Sequence, residues 1–165
     1  MRFLAAISGI LCLLSGCVVK SDPGIGRFTG AQTGCANFVV VRENQDGTWL
    51  LVVDDHEAGI AGDTTYSEQV GKPGGAEVRL ERYSQSGMAS TVYCNDVGLS
   101  GAKLRESHNA VSGTLKVKAY GYQAAKNFFE RRFQIDVELN NVRFDDGHRL
   151  DSARIDSVSV GWLAG

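Results

Sequence analysis

Two rhythms of apolar and polar positions divide this chain. Phe3 to Leu14 is an unbroken uncharged run, whereas from Phe38 onward short apolar stretches alternate with turn residues. The second rhythm, with period two inside each stretch and Gly, Asn or Asp between stretches, predicts half-buried strands joined by turns. Phe133, Ile135, Val137 and Leu139 alternate with Gln134, Asp136 and Glu138 and give the cleanest strand. Leu115, Val117 and Ala119 alternate with Lys116 and Lys118, and Val78 and Leu80 with Arg79 and Glu81. Thr91 to Cys94 reads as a further short strand, and Arg149 to Trp162 as the last strand or pair of strands. Parity breaks at Asn140-Asn141, because Val142 and Phe144 are even-numbered, and a β-bulge there resets the inward face. Phe38 to Val41 and Trp49 to Val53 flank Glu43 to Gly47, whose Asp46-Gly47 favours the positive φ of a hairpin turn. Asp145-Asp146-Gly147 marks another turn.

The runs Phe38 to Val41 and Leu50 to Val53 are apolar at every position, so both faces of this hairpin are expected to be covered. The segment Asp54 to Gly75 is the expected cover, with a partner protein or apolar ligand as the alternative. Asp96 to Ala110 lacks sustained alternation and reads as a long loop rich in Gly and Ser. Gln123 to Arg132 holds good helix formers but lies between alternating strands, which predicts a hairpin connection with at most one helical turn. Together these patterns predict one all-β domain, an antiparallel β-sandwich of about seven to nine strands with little helix, or alternatively a small β-barrel.

The first rhythm has a different meaning. Arg2 supplies a positive start, and the uncharged run of about 12 residues fits the roughly 7–15 of a signal-peptide core. It is shorter than the roughly 20 residues needed to span a bilayer. The run ends in Leu14-Ser15-Gly16-Cys17, which resembles the lipobox of bacterial lipoproteins, where small residues precede a cysteine that is acylated and becomes the new N-terminus. This resemblance covers only the first 17 residues. It implies that residues 1–16 are a signal peptide and that Cys17 carries a thioether diacylglycerol, usually with an amide-linked third chain. One acyl chain binds a membrane weakly, whereas two or three hold firmly. The alternatives are a plain signal peptide, which would prefer an Ala-x-Ala-like site, and an uncleaved anchor over Phe3 to Val19. Pro23, Gly24 and Gly26 interrupt a stretch without periodicity, so residues 17–27 read as a lipidated tether and 28–165 as the β domain. In lipoproteins of two-membrane bacteria, Asp after the acylated cysteine commonly retains the protein at the inner membrane. Val18 in that place implies the outer membrane, on its periplasmic or surface face.

Charge narrows the partners. The formal net charge is -2, and loss of Arg2 with the leader makes it -3. Phosphate backbones need a basic field, so nucleic acid is not an expected partner. Membrane contact is expected through the lipid on Cys17. With Cys12 in the leader and Cys17 acylated, Cys35 and Cys94 remain as an even pair in an exported, oxidising setting, which favours a disulfide. It would close a loop of about 60 residues, worth about 4 kcal/mol in the chain-entropy model. Two buried thiols, or half a metal site, are the alternatives. No Cys-x-x-Cys is present and the three histidines are scattered, which speaks against zinc.

Motifs of catalysis are few. Gly24 to Gly30 has one residue too many for a dinucleotide fingerprint and opens no helix. His56-Glu57 begins like a zincin helix but lacks the second histidine. No nucleophile elbow or phosphate loop occurs. His56, His108 and His148 read as solvated loop residues, with convergence in space as the sharper alternative. Asp54, Asp55, Glu57 and Asp63 in one loop, and Asp145 and Asp146 in another, read as turn chemistry rather than a calcium site. Trp49 and Trp162 read as core rather than as a carbohydrate or peptide platform. The expectation is a noncatalytic envelope module, binding or structural, with no catalytic residue, metal ligand or cofactor. The alternative is an envelope hydrolase using loop His and Asp residues.

The leader gives the first test. Mass spectrometry of the mature protein should find an acylated Cys17 at the N-terminus. A chain still beginning at Met1, or an unmodified Cys17, would refute the lipoprotein resemblance.

Overall fold

The computed structural model describes residues 25–55, 58–88, 92–95, 101–123 and 132–161. These residues form an 8-stranded antiparallel sheet. Its strands are β1 (Gln32–Cys35), β2 (Val39–Glu43), β3 (Trp49–Asp54), β4 (Thr64–Gln69), β5 (Glu77–Tyr83), β6 (Leu104–Gln123), β7 (Arg132–Phe144) and β8 (Arg149–Gly161). The order is β1-β2-β3-β5-β6-β7-β8, with β4 also paired to β6. One edge of β6 is shared. Its first half pairs with β5, from Tyr83↔Leu104 to Arg79↔Asn109, and its second with β4, from Gln69↔Thr114 to Thr64↔Ala119. β7 runs along the opposite edge from Ala110↔Phe144 to Gln123↔Arg132.

The sheet curls until its ends meet. The Gln32 side-chain amide donates to the Asp156 carbonyl at 2.6 Å, and the Gly161 N–H donates to the Ala36 carbonyl at 2.8 Å. The Arg42 side chain also reaches the Arg154 carbonyl. The molecule is therefore all-β and nearly closed, and of the two architectures the sequence allows it is the barrel-like one. Gly34 permits the closure, since a Cβ there would meet the Val158 side chain, the Ser159 carbonyl at 2.7 Å and Val160 Cγ1 at 2.9 Å.

Inward positions fill the interior with Leu51, Val53, Leu80, Leu115, Val117, Ile135, Leu139 and Ile155, all at or near zero exposure. Outward positions of β6 to β8 carry Lys116, Lys118, Glu138 and Arg154. This polarity is the inverse of a lipid-facing barrel, whose apolar band points outward. Among the described residues no helix is long and apolar enough to cross a membrane.

The parity break in β7 is real. Asn141 has φ of +53°, the β6–β7 register shifts beside it, and the buried series runs Leu139, Val142, Phe144. Gly113 faces the bulge with φ of +143°, and a Cβ there would stand 2.9 Å from the Val142 Cα. Across it the core-directed parity of β6 changes. Leu115, Val117 and Ala119 point to the core after it, and Ala110 and His108 lie on the inner side before it.

Several expectations are corrected. Among the described residues, none of Asp54 to Gly75 covers the second face of the β2–β3 hairpin. That segment contains β4 and sends Ile60 and Val70 into the main interior. The cover is Met88, with Val92, Tyr93 and Ala102, packed on Val41, Leu50 and Val52. Thr91 to Cys94 is accordingly not a strand over its described residues, 92–94. The disulfide Cys35–Cys94, with Cα atoms 5.5 Å apart, ties this segment to β1, and its Val92 and Tyr93 pack on Val41, Leu50 and Val52. The expected loop Asp96 to Ala110 is strand from Leu104 onward. Its inward positions there include Glu106 and His108 at the barrel end, so no hydrophobic alternation announces it. Residues 124–131, where at most one helical turn was expected, lie outside the described residues. Ile25, in the expected tether, is buried in the core, and its carbonyl accepts from Asn44 Nδ2 at 2.8 Å.

Two stability effects follow. Gly34→Ala should destabilise the fold by about 1–3 kcal/mol through overpacking at the seam, read from the urea midpoint. Cys94→Ser should cost about 2–5 kcal/mol in the same measurement, and reductant should impose a similar loss on the unsubstituted protein.

Candidate functional site

At one end of the barrel the inner face turns polar. Trp49 pairs across the sheet with Arg82, and Arg82 with Glu106. The Arg82 guanidinium lies 5.7 Å from the Trp49 ring centroid and donates to Glu106 Oε1 at 2.9 Å. His108 follows two residues along β6, on the side of Trp49. The β7–β8 turn closes over this row because the β6–β7 ladder continues into it. The Asp145 N–H donates to the Asn109 carbonyl at 3.0 Å, and the Asn109 N–H donates to Asp145 Oδ2 at 3.2 Å. Gly147, at φ of +95°, completes the turn, and the Phe144 N–H donates to the His148 carbonyl at 3.0 Å.

This turn delivers His148 to His108. Their ring centroids are 5.6 Å apart, and lie 5.7 Å and 6.1 Å respectively from that of Trp49. Asp146 lies between them and divides its work. Its Oδ1 accepts the His148 backbone N–H at 3.0 Å, an ordinary turn bond. Its Oδ2 faces both imidazoles, 3.3 Å from His108 Nε2 and in close contact with His148 Nδ1. The other nitrogen of His108, Nδ1, is 3.5 Å from Asp145 Oδ1, and Glu106 Oε2 is 3.8 Å from Nε2. About a fifth of each of the His108, Asp146 and His148 side chains remains exposed. The cluster is thus reachable from solvent against an apolar wall, since Trp49 itself is buried.

The other residues singled out in the sequence have separate fates. The reading of the histidines as solvated loop residues is corrected for His108, which is on a strand, and for both His108 and His148, which converge. His56, Glu57, Cys17 and Trp162 lie outside the described residues. Trp49 belongs to the core, as expected, and also backs the histidine pair. Asp55 accepts the Tyr66 hydroxyl at 2.6 Å, and Asp63 accepts the Tyr122 N–H at 3.0 Å. Burial, and then Asp55, holds the Tyr66 hydroxyl well above its ordinary range. Asp55 and Asp63 thus tie their segment to β4 and β6 through bonds to residues 11 and 59 positions away, and the expectation of local turn chemistry is corrected for both.

A second titratable cluster underlies the disulfide-bound cover. Glu81, 4% exposed, accepts hydrogen bonds from Arg79 Nε at 3.2 Å, from the Tyr83 hydroxyl at 3.0 Å and from the Tyr93 hydroxyl. A buried carboxylate needs such partners, and here they bind the cover to β5. The cluster is structural. A third feature is an open groove of ≈ 1120 Å³ lined by Arg27, Arg42, Arg149 and Arg154 together with Glu138 and Asp151. Its charges are mixed, and Arg154 is paired with Asp156.

In comparisons with known proteins, no family model, curated protein or solved structure matches the chain.

The half-buried Tyr93 gives a pH effect of definite sign. Burial first, and then the bond to Glu81, pushes the Tyr93 hydroxyl from 10.0 up to about 12, against the pull of Arg79. The unfolded chain ionises this tyrosine earlier, so stability should be full below pH 10.0 and fall as pH rises toward about 12. Tyr93→Phe should make that alkaline fall shallower in chemical denaturation across this range. An unchanged profile would place Tyr93 in water.

Proposed function

We propose that the chain is an envelope lipoprotein, held through acylated Cys17, whose barrel-like domain is a noncatalytic binding module that acts through its polar end. The lipobox resemblance supports export and anchoring. The Cys35–Cys94 disulfide is compatible with that compartment. The observation that carries the binding reading is the convergence of His108, Asp146 and His148 against Trp49. The described interior is packed with aliphatic and aromatic side chains, so ligand contact falls to the surface, and this end gathers groups able to bind. Val18 favours the outer membrane.

The same convergence is what favours the second reading, an envelope hydrolase, since His108 beside Asp146 has the makings of a general base. The two readings separate on turnover. A binding module shows no hydrolysis that His108→Ala removes, whereas a hydrolase loses its activity in that variant with the fold intact.

Anchoring is tested by fractionation. The unsubstituted chain should sediment with outer membranes and incorporate labelled palmitate. Cys17→Ala should lose the label and the acyl anchorage. Label retained in Cys17→Ala would contradict anchoring through this cysteine.

A further inference from the structure

Three potential ligand atoms at the barrel end, one each from His108, Asp146 and His148, lie within 4.8 Å of one another. Ligand atoms around a tetrahedral zinc stand roughly 3.3 Å apart, given bonds of roughly 2.0–2.1 Å. The separation of His108 Nε2 from Asp146 Oδ2 is 3.3 Å. His108 Nε2 is also buried and makes no hydrogen bond among the described residues, although a carboxylate oxygen stands beside it. A nitrogen lone pair facing a carboxylate lone pair is repulsive unless a proton or a cation lies between them. The rest of the site orients these donors. Asp145 Oδ1, 3.5 Å from Nδ1, can take the imidazole N–H on that side, and in that tautomer the Nε2 lone pair is available to a cation beside Asp146 Oδ2. Asp145 is itself fixed by the Asn109 N–H. Such a carboxylate–imidazole partnership commonly supports metal-bound histidine. Asp146 is anchored through Oδ1 and offers Oδ2.

We infer that His108, Asp146 and His148 bind a divalent transition metal of the zinc class. Two imidazole nitrogens and one carboxylate oxygen suit Zn²⁺ and its neighbours, whereas Ca²⁺ and Mg²⁺ prefer oxygen throughout. Three protein ligands leave a coordination position facing solvent, where water or a donor group of a partner can bind. This inference deepens the binding-module reading by naming its ligand, and it is independent of lipid anchoring.

The experiment uses the chain purified from membranes in detergent, stripped with chelator and titrated with Zn²⁺ by calorimetry and with Co²⁺ by absorption. The inference expects one saturable site per chain, and Co²⁺ bands without thiolate charge transfer. Asp145→Asn should weaken binding by about 10–100-fold, and His108→Ala or His148→Ala by more than that. Circular dichroism checks the fold of each variant. As a control against unfolded variants, the unsubstituted protein supplies a second reading: Zn²⁺ should shift the ring resonances of both His108 and His148. Absence of saturable binding, a thiolate band, undiminished binding in the folded histidine variants, or unmoved His108 and His148 resonances would each overturn the inference. The cluster would then be a set of contacts that fastens the β7–β8 turn to β6 without binding an ion.

Discussion

The pairing of β6 with β7 is the constraint on which the rest of this molecule depends. β6 is 20 residues long and gives one edge to both β5 and β4, so it is the strand through which the two parts of the sheet are joined. A strand of that length cannot stay flat while its sheet curls. The curvature is relieved where Gly113 faces the Asn140–Asn141 bulge, and only glycine fits there without displacing Val142. The change of parity at this point places aliphatic residues inside along the second half of β6. It also places Glu106 and His108 on the inner side of the first half. The same register sets Asp145 opposite Asn109, and so brings the β7–β8 turn, with Asp146 and His148, over His108. Fold and site share one cause.

Two fastenings keep that arrangement closed. At the seam, Gly34 lets β1 approach β8 closely enough for backbone and amide bonds to form across it. Over the outer face of β2, β3 and β5, the disulfide holds the segment bearing Tyr93, which shields Leu50 and Val52 and supplies a partner for Glu81. Without that cover, an apolar face and a carboxylate would meet water together. The cover lies away from the histidine cluster, and its chemistry is that of attachment rather than of ligand capture.

How much of this was legible in the sequence depended on where each residue points. Phe133 to Leu139 and Leu115 to Ala119 alternate cleanly because one face is core and the other water, and the bulge at Asn140-Asn141 was visible as a break in that alternation. The Cys35–Cys94 bridge followed from counting. The strand at Leu104 to Ala110 was not legible, because its inner positions lie at a polar barrel end and carry Glu and His. The segment that covers the β2–β3 hairpin was not legible either, since apolarity shows that a face is covered but not by what. Turn chemistry accounts for one oxygen of Asp146, which accepts the His148 N–H. Its second oxygen acquires its role only when His108, 38 positions earlier, is brought beside it by strand register. A spacing that long has no local signature.

The central claim is that this register holds His108, His148 and Trp49 together in the folded, metal-free protein. Proton nuclear Overhauser spectroscopy tests it most directly. The account predicts cross-peaks between the ring protons of His108 and His148, whose centroids are 5.6 Å apart, and from both rings to the Trp49 indole. It also predicts a contact between the backbone amides of Asn109 and Asp145. Cross-peaks confined to sequence neighbours, with the β6–β7 ladder otherwise intact, would contradict it.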